Sequence, residues 1–157
     1  MLTWADHINY ICAKISKSIG IFKKVHDVLD RNNLIGLYYS LIYPYLSYCN
    51  KVWGKAANVH LERLHILQKR VVRLLCRTHY LEHSEPLFIT CGILTVYELH
   101  TYLIALFMFK YKNKLLPTIF NDMFIYKQSI HDRCTRQNSL YFLPYCKTSK
   151  KQKSVSY

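Results

Sequence analysis

Carboxylates are scarce in this chain. Nine Asp and Glu stand against 22 Lys and Arg, giving a formal net charge of +13 at pH 7. Asp6, Asp27, Asp30, Asp122 and Asp132 form no recognisable pair motif. Two-metal phosphoryl transfer needs converging acids that hold two cations ~4 Å apart, so that chemistry is not encoded. There is no glycine-rich phosphate loop. His79 and His83 are four residues apart, but the string reads HYLEH and not HExxH, so it lacks the placed glutamate of a zinc hydrolase. It also falls in a stretch that reads as a loop. Cys91 has no local histidine to act as its base. These absences argue against an autonomous enzyme, and neither a metal nor a cofactor is expected.

Glycine and proline are also few, at 4 each. An all-β chain with many tight turns would need more, so helices are favoured. The six cysteines are widely spaced with no CxxC pair, and no secretory signal is visible at the start. They read as free thiols in a reducing, intracellular compartment, nuclear or cytoplasmic. Apolar runs such as residues 102–109 fall well short of the roughly 18 residues that a membrane-spanning helix needs.

What is present is helical periodicity. Trp4, Ile8, Ile11, Ile15, Ile19 and Phe22 recur at steps of three and four, which predicts an amphipathic helix over residues 3–24. Thr3 and Asp6 have the spacing of a capping box. A second helix is expected over 30–43, capped by Asp30, buried through Leu34, Leu37, Leu41 and Ile42, and ended or kinked by Pro44. A third begins near Asn58, read as its cap, and runs to about Arg77. Ser84 and Pro86 open a short helical turn that Gly92 breaks. Thr95 and Glu98 repeat the capping-box spacing before a last helix that Pro117 stops. Beyond it periodicity fades. From Lys110 onward 10 basic residues face two acids, and KTSKKQKSVSY is expected to be disordered. The expected fold is therefore mainly α: a small bundle of about four helices over 1–117, with a loosely structured basic extension over 118–157.

The third helix, LERLHILQKRVVRLLCR, carries two stripes. Leu61, Leu64, Val71, Val72 and Leu75 define one side; Arg63, Arg70, Arg73 and Arg77, with Lys69 beside them, define another. A solvated charged face is the commoner fate of such residues. Here arginine predominates, Glu62 is the only acid, and the Glu-to-Lys pairs of a merely solvated helix are nearly absent. The arginine fork suits phosphate oxygens. This points to contact with the backbone of a nucleic acid rather than to base reading, because no zinc finger or other reading motif is present. The dense tyrosines Tyr38, Tyr39, Tyr43, Tyr45 and Tyr48 read either as rings edging a core or as stacking platforms for bases.

Several of these segments together resemble one family. LTWADHINYICAKISKSIGIFKKV resembles the stretch after the catalytic palm in reverse transcriptases of LINE-type, non-LTR retrotransposons of the jockey and related groups. LYYSLIYPYLSYCNKVWG over 37–54, LERLHILQKRVVRLLCR, and HSEPLF over 83–88 resemble the thumb that follows. LHTYLIALFMFKYKNKLLPTIF and IHDRCTRQNSLYFLP resemble the region after the thumb. The resemblance spans nearly the whole chain. It implies helices that grip an RNA–DNA or DNA duplex through phosphate contacts, with Lys14, Lys17, Lys69, Arg70, Arg73 and Arg77 as the nucleic-acid-binding residues. The YxDD-type catalytic motif and the fingers are absent, so the chain is expected to be a non-catalytic fragment of an RNA-directed DNA polymerase, the tail of a longer frame. On this view the first helix once packed on a palm. The alternatives are a small helical protein-interaction module and a non-functional transposon relic.

Overall fold

The computed structural model describes residues 4–130, 136, 140–143 and 145–147. Seven α-helices occur among these residues: α1 Ala5–Val25, α2 Arg31–Leu41, α3 Tyr43–Ser47, α4 Asn50–Trp53, α5 Asn58–Cys76, α6 Ser84–Cys91 and α7 Val96–Lys112. The protein is mainly helical, with no β-strand among the described residues. The chain divides into two compact units, 1–102 and 103–157, and the division falls inside α7.

In the first unit α1 and α5 form the main pair. They run parallel: Arg63 of α5 bonds Asn9 of α1, and fourteen positions on, Arg77 bonds the carbonyl of His26 just past the end of α1. The expected stripe of α1 is buried through Ile8, Ile11, Ile15, Ile19 and Phe22, and that of α5 through Leu61, Leu64, Val71, Val72 and Leu75. α2 closes this core against both helices, and α3 packs on α1 and α2. The apolar side of α1 is thus covered within its own unit by α5, α2 and α3.

The second helix departs from expectation. It stops at Leu41, Ile42 turns with φ −118°, and α3 restarts at Tyr43 with Pro44 inside its first turn. Proline at this position lacks only a donor that a first turn leaves unbonded anyway. The buried positions of α2 are Leu34 and Tyr38, followed by Ile42, an i, i+4 ladder; Leu37 and Leu41 are only half-buried. The reason is polar. Gln68 of α5 is fully buried and its Nε2 donates to the Tyr38 hydroxyl at 2.9 Å and to the Leu94 carbonyl at 2.8 Å, while its Oε1 accepts from the Val96 amide at 2.9 Å. One glutamine therefore ties α5 to α2 and to the start of α7.

Caps were only partly legible. Thr95 and Glu98 form the expected capping box: the Glu98 carboxylate accepts from the Thr95 amide at 2.8 Å and hydroxyl at 2.9 Å, and the Glu98 amide donates to Thr95 Oγ1 at 3.3 Å. Asp30 occupies the N-cap of α2 in extended backbone but makes no side-chain capping bond. Asn58 is the first helical residue of α5, and Ala57 holds the cap position. Thr3 lies outside the described residues. Gly92 ends α6 at φ +63°, as expected.

Trp53 is the last residue of α4 and is fully buried, with its Nε1 donating to the Tyr48 carbonyl at 2.8 Å and the His7 ring set edge-on to it. The second unit is built on the end of α7. The Tyr111 hydroxyl donates to the carbonyls of Asn121 and Phe124 at 2.8 and 3.1 Å, and Phe107 packs edge-on to Phe120. Single 3-10 turns occupy Thr118–Phe120 and Lys127–Ser129, and Tyr126 pairs with Tyr141 in one antiparallel bridge with stacked rings.

Candidate nucleic-acid interface

The parallel pairing of α1 and α5 leaves a groove along one side of the pair. Asn9, Cys12, Ala13 and Ser16 line it from α1; Arg63, Ile66, Leu67 and Arg70 line it from α5. Its volume is about 390 Å³. It exists because Ala13 and Ser16 are short where the facing residues are long. Ser16 also turns its hydroxyl back to the Cys12 carbonyl at 2.8 Å, so its oxygen hugs its own helix.

At ~100° per residue, positions 63 and 70 of α5 fall on one side, ~10.5 Å apart along its axis, while Arg77, in left-handed backbone just past Cys76, leaves the helical phase and turns to the end of α1. All three are arginines in this chain, and all are exposed. Their states differ. Arg63 donates through Nη1 to Asn9 Oδ1 at 2.9 Å. Arg77 clasps the turn after α1, donating from Nε to the His26 carbonyl at 2.9 Å and from Nη2 to the Leu29 carbonyl at 2.8 Å. Arg70, between them, has no hydrogen-bond or ion-pair partner among the described residues. No arginine of α5 has a carboxylate partner among the described residues. A guanidinium carries five N–H donors, and the two held arginines keep donors beyond those they spend.

The structure sorts the expected residues into four groups. Arg70 lines the groove, and Arg77, just past the end of α5, is committed to the turn after α1. Arg73 is half-buried and its Nε donates to the Glu82 carbonyl at 2.9 Å, bracing the loop between α5 and α6. Lys69 faces elsewhere. It lines a second groove of about 510 Å³ with His65, Ser84, Phe88, Ile89 and Tyr97. His65 sits there between the rings of Phe88 and Tyr97, and burial, aided by the Lys69 charge, lowers its pKa. On α1, Lys17 is exposed and follows the groove residue Ser16 in sequence, while Lys14 lies over the Tyr10 ring at 5.3 Å, turned further from the groove.

Arg63 belonged to the basic stripe but was not among the expected contacts. Asn9, which fixes it, was not anticipated at all. A signal did exist in the small residues Ala13 and Ser16, yet their significance depends on which helix lies opposite. Among the described residues no group of three or more His, Cys, Asp or Glu side chains converges as metal ligands would. His79 and His83 lie in the loop between α5 and α6 and are exposed. No single helix among the described residues is long and apolar enough to cross a membrane; α6 and α7 reach that length only together, across a break.

Comparison with protein-family models, curated proteins and solved structures gives no match.

Proposed function

We propose that this chain is a non-catalytic fragment of a LINE-type retrotransposon RNA-directed DNA polymerase that grips the backbone of a template–primer duplex. The observation that carries the reading is the pair Arg63 and Arg70 along one side of α5, lining an open groove and without a carboxylate partner among the described residues. Backbone contacts of this kind position a duplex without reading its sequence. In the parent enzyme the palm would perform phosphoryl transfer while these helices, a small bundle over 1–117 with a basic extension over 118–157, hold the product. Lys14, Lys17, Lys69 and Arg73 would then act peripherally, through the field of the net +13 charge.

The test is titration of the chain against labelled RNA–DNA hybrid and DNA duplex at two salt concentrations, with helical content recorded first. Arg70→Gln is the informative variant because it disturbs no internal bond. It should weaken binding about equally for all sequences and make the log–log salt slope shallower by about 0.9. Arg63→Gln with Arg70→Gln should roughly double that change. A folded double variant with unaltered affinity and slope would sink the reading.

A protein-docking role is the second reading. It is favoured by the other groove, where Phe88 and Ile89 line the wall and Ile89 is 82% exposed. A chain that ignores both duplexes but binds a polypeptide with little salt dependence would support it, and a helical chain that binds neither is a relic.

A further inference from the structure

The chain places two thiols side by side. Cys76 is the last residue of α5 and Cys91 the last residue of α6. Each helix ends in a left-handed residue, Arg77 at φ 52° and Gly92 at φ 63°, whose amide turns back onto the last turn. The two termini therefore finish in the same way, next to each other. The Cys76 and Cys91 Sγ atoms are 3.2 Å apart, with one thiol donating to the other. A disulfide needs ~2.05 Å, so closure requires a shift of about an ångström.

We propose that Cys76 and Cys91 form a reversible intramolecular disulfide, a redox-dependent staple between the ends of α5 and α6. The oxidant is a low-molecular-weight disulfide of the glutathione type. Cys76 is partly exposed and Cys91 is buried, so the small disulfide meets Cys76 first. The Cys76 thiolate attacks one sulfur of the oxidant and expels the first small thiolate, leaving a mixed disulfide on Cys76. The Cys91 thiolate then attacks Cys76 Sγ and expels the second. Two protein thiols lose two protons and two electrons; one small disulfide gains them and leaves as two small thiols. The guanidinium of Arg31 stands beside the second nucleophile. Its Nη2 is 3.7 Å from Cys91 Sγ and is held there by a 2.8 Å bond to the Thr90 carbonyl.

The surroundings set the rate. Burial, reinforced by the neighbouring Cys91 thiol, pushes the Cys76 thiol up to about 11. Little of it is thiolate at neutral pH, so closure is slow there and accelerates through the alkaline range, while the thiolate that does form is a strong nucleophile. Cys49, exposed and far along the chain from the pair, carries no comparable neighbour among the described residues.

The experiment uses the full chain, purified reduced and exposed to oxidised glutathione in native, mildly alkaline buffer. Alkylation and peptide mapping follow. The Cys76 and Cys91 thiols should both be lost to alkylation with their peptides linked and free of glutathione, whatever glutathione the exposed Cys49 takes up, and dithiothreitol should restore both thiols. Cys91→Ser should instead stall with glutathione on Cys76. Wild-type chain that carries glutathione on Cys76 while Cys91 still alkylates would overturn the proposal. So would a link that forms only in urea, or two thiols that both remain alkylatable. Should Cys91→Ser fail to fold, Cys76→Ser supplies the control, since it must abolish the link and leave Cys91 alkylatable after denaturation.

Discussion

His100 Nδ1 lies 3.0 Å from Asn50 Oδ1, and both side chains are buried. The Asn50 Nδ2 is committed to the Leu46 carbonyl at 2.9 Å, so its oxygen must accept and His100 must carry its proton on Nδ1. The other ring nitrogen, Nε2, is buried without a partner among the described residues. A neutral imidazole tolerates this arrangement; an imidazolium would bury an unpaired N–H and a charge.

Acid should therefore loosen the protein. Burial lowers the His100 pKa, and His65 is lowered for the same first reason. A histidine depressed in the fold binds its proton more readily when unfolded. Stability is then full above the unfolded value of about 6.5 and is lost as pH falls below it towards the folded pKa. For His100 the slope is at most about 1.4 kcal/mol per pH unit. Urea midpoints measured across this window should fall with pH in the wild type. A folded His100→Asn variant should show a flatter dependence, and an unchanged slope would remove His100 from the account.

The same cluster explains one glycine. A Cβ on Gly54 would run into His100 Nδ1 and, at 2.6 Å, the Asn50 carbonyl and Oδ1. The backbone of Asn50 cannot yield. Gly54→Ala should cost about 2–3 kcal/mol through overpacking and loss of the buried bond. Gly20 in α1 and Gly36 in α2 have nothing within 4 Å of a built Cβ. There alanine should stabilise by about 0.5–1 kcal/mol each, because glycine is a poor helix former. Thermal melts of the three single variants should move in these opposite directions.

Gln68 offers a third check. Gln68→Ala removes the partner of the Tyr38 hydroxyl, the Leu94 carbonyl and the Val96 amide at once. Burial already raises the Tyr38 pKa, a sign of how little water reaches that hydroxyl. The substitution should cost about 3 kcal/mol, since buried groups left unpaired cost ~1–3 kcal/mol each. Chemical denaturation measures it. A cost below that of an ordinary surface change would mean water replaces the amide.

The long amphipathic helices were legible in the sequence because their apolar spacing is set locally. Ile8 to Phe22 and Leu61 to Leu75 needed only a period. Gln68 was not legible, because a polar residue inside an apolar stripe gains its meaning from Tyr38, Leu94 and Val96, each at least 26 residues away. The break was expected at Pro44, as an end or a kink, and falls two residues earlier, at Ile42. The candidate interface was legible as charge and not as geometry. Lys69 and Arg70 are neighbours in sequence, yet a 100° turn sends them to different grooves. Arg77 read as a ligand-facing cation; its residue number could not reveal that it first serves the carbonyls of His26 and Leu29. Helix ends that rely on a left-handed arginine or lysine, as at Arg77 and Lys114, carry no glycine to announce them.

The parallel arrangement of α1 and α5 also dictates an order of assembly. Partners in that pair are separated by about fifty residues, as Asn9 and Arg63 are by 54. Contacts so distant in sequence form only after the intervening chain has been fixed in place, which slows folding. On a ribosome the isoleucine row of α1 emerges first and waits, uncovered, until α5 has been synthesised behind it. During that interval the nascent chain displays a basic, amphipathic helix with its apolar side open, the period in which it is most exposed to aggregation and most in need of a chaperone.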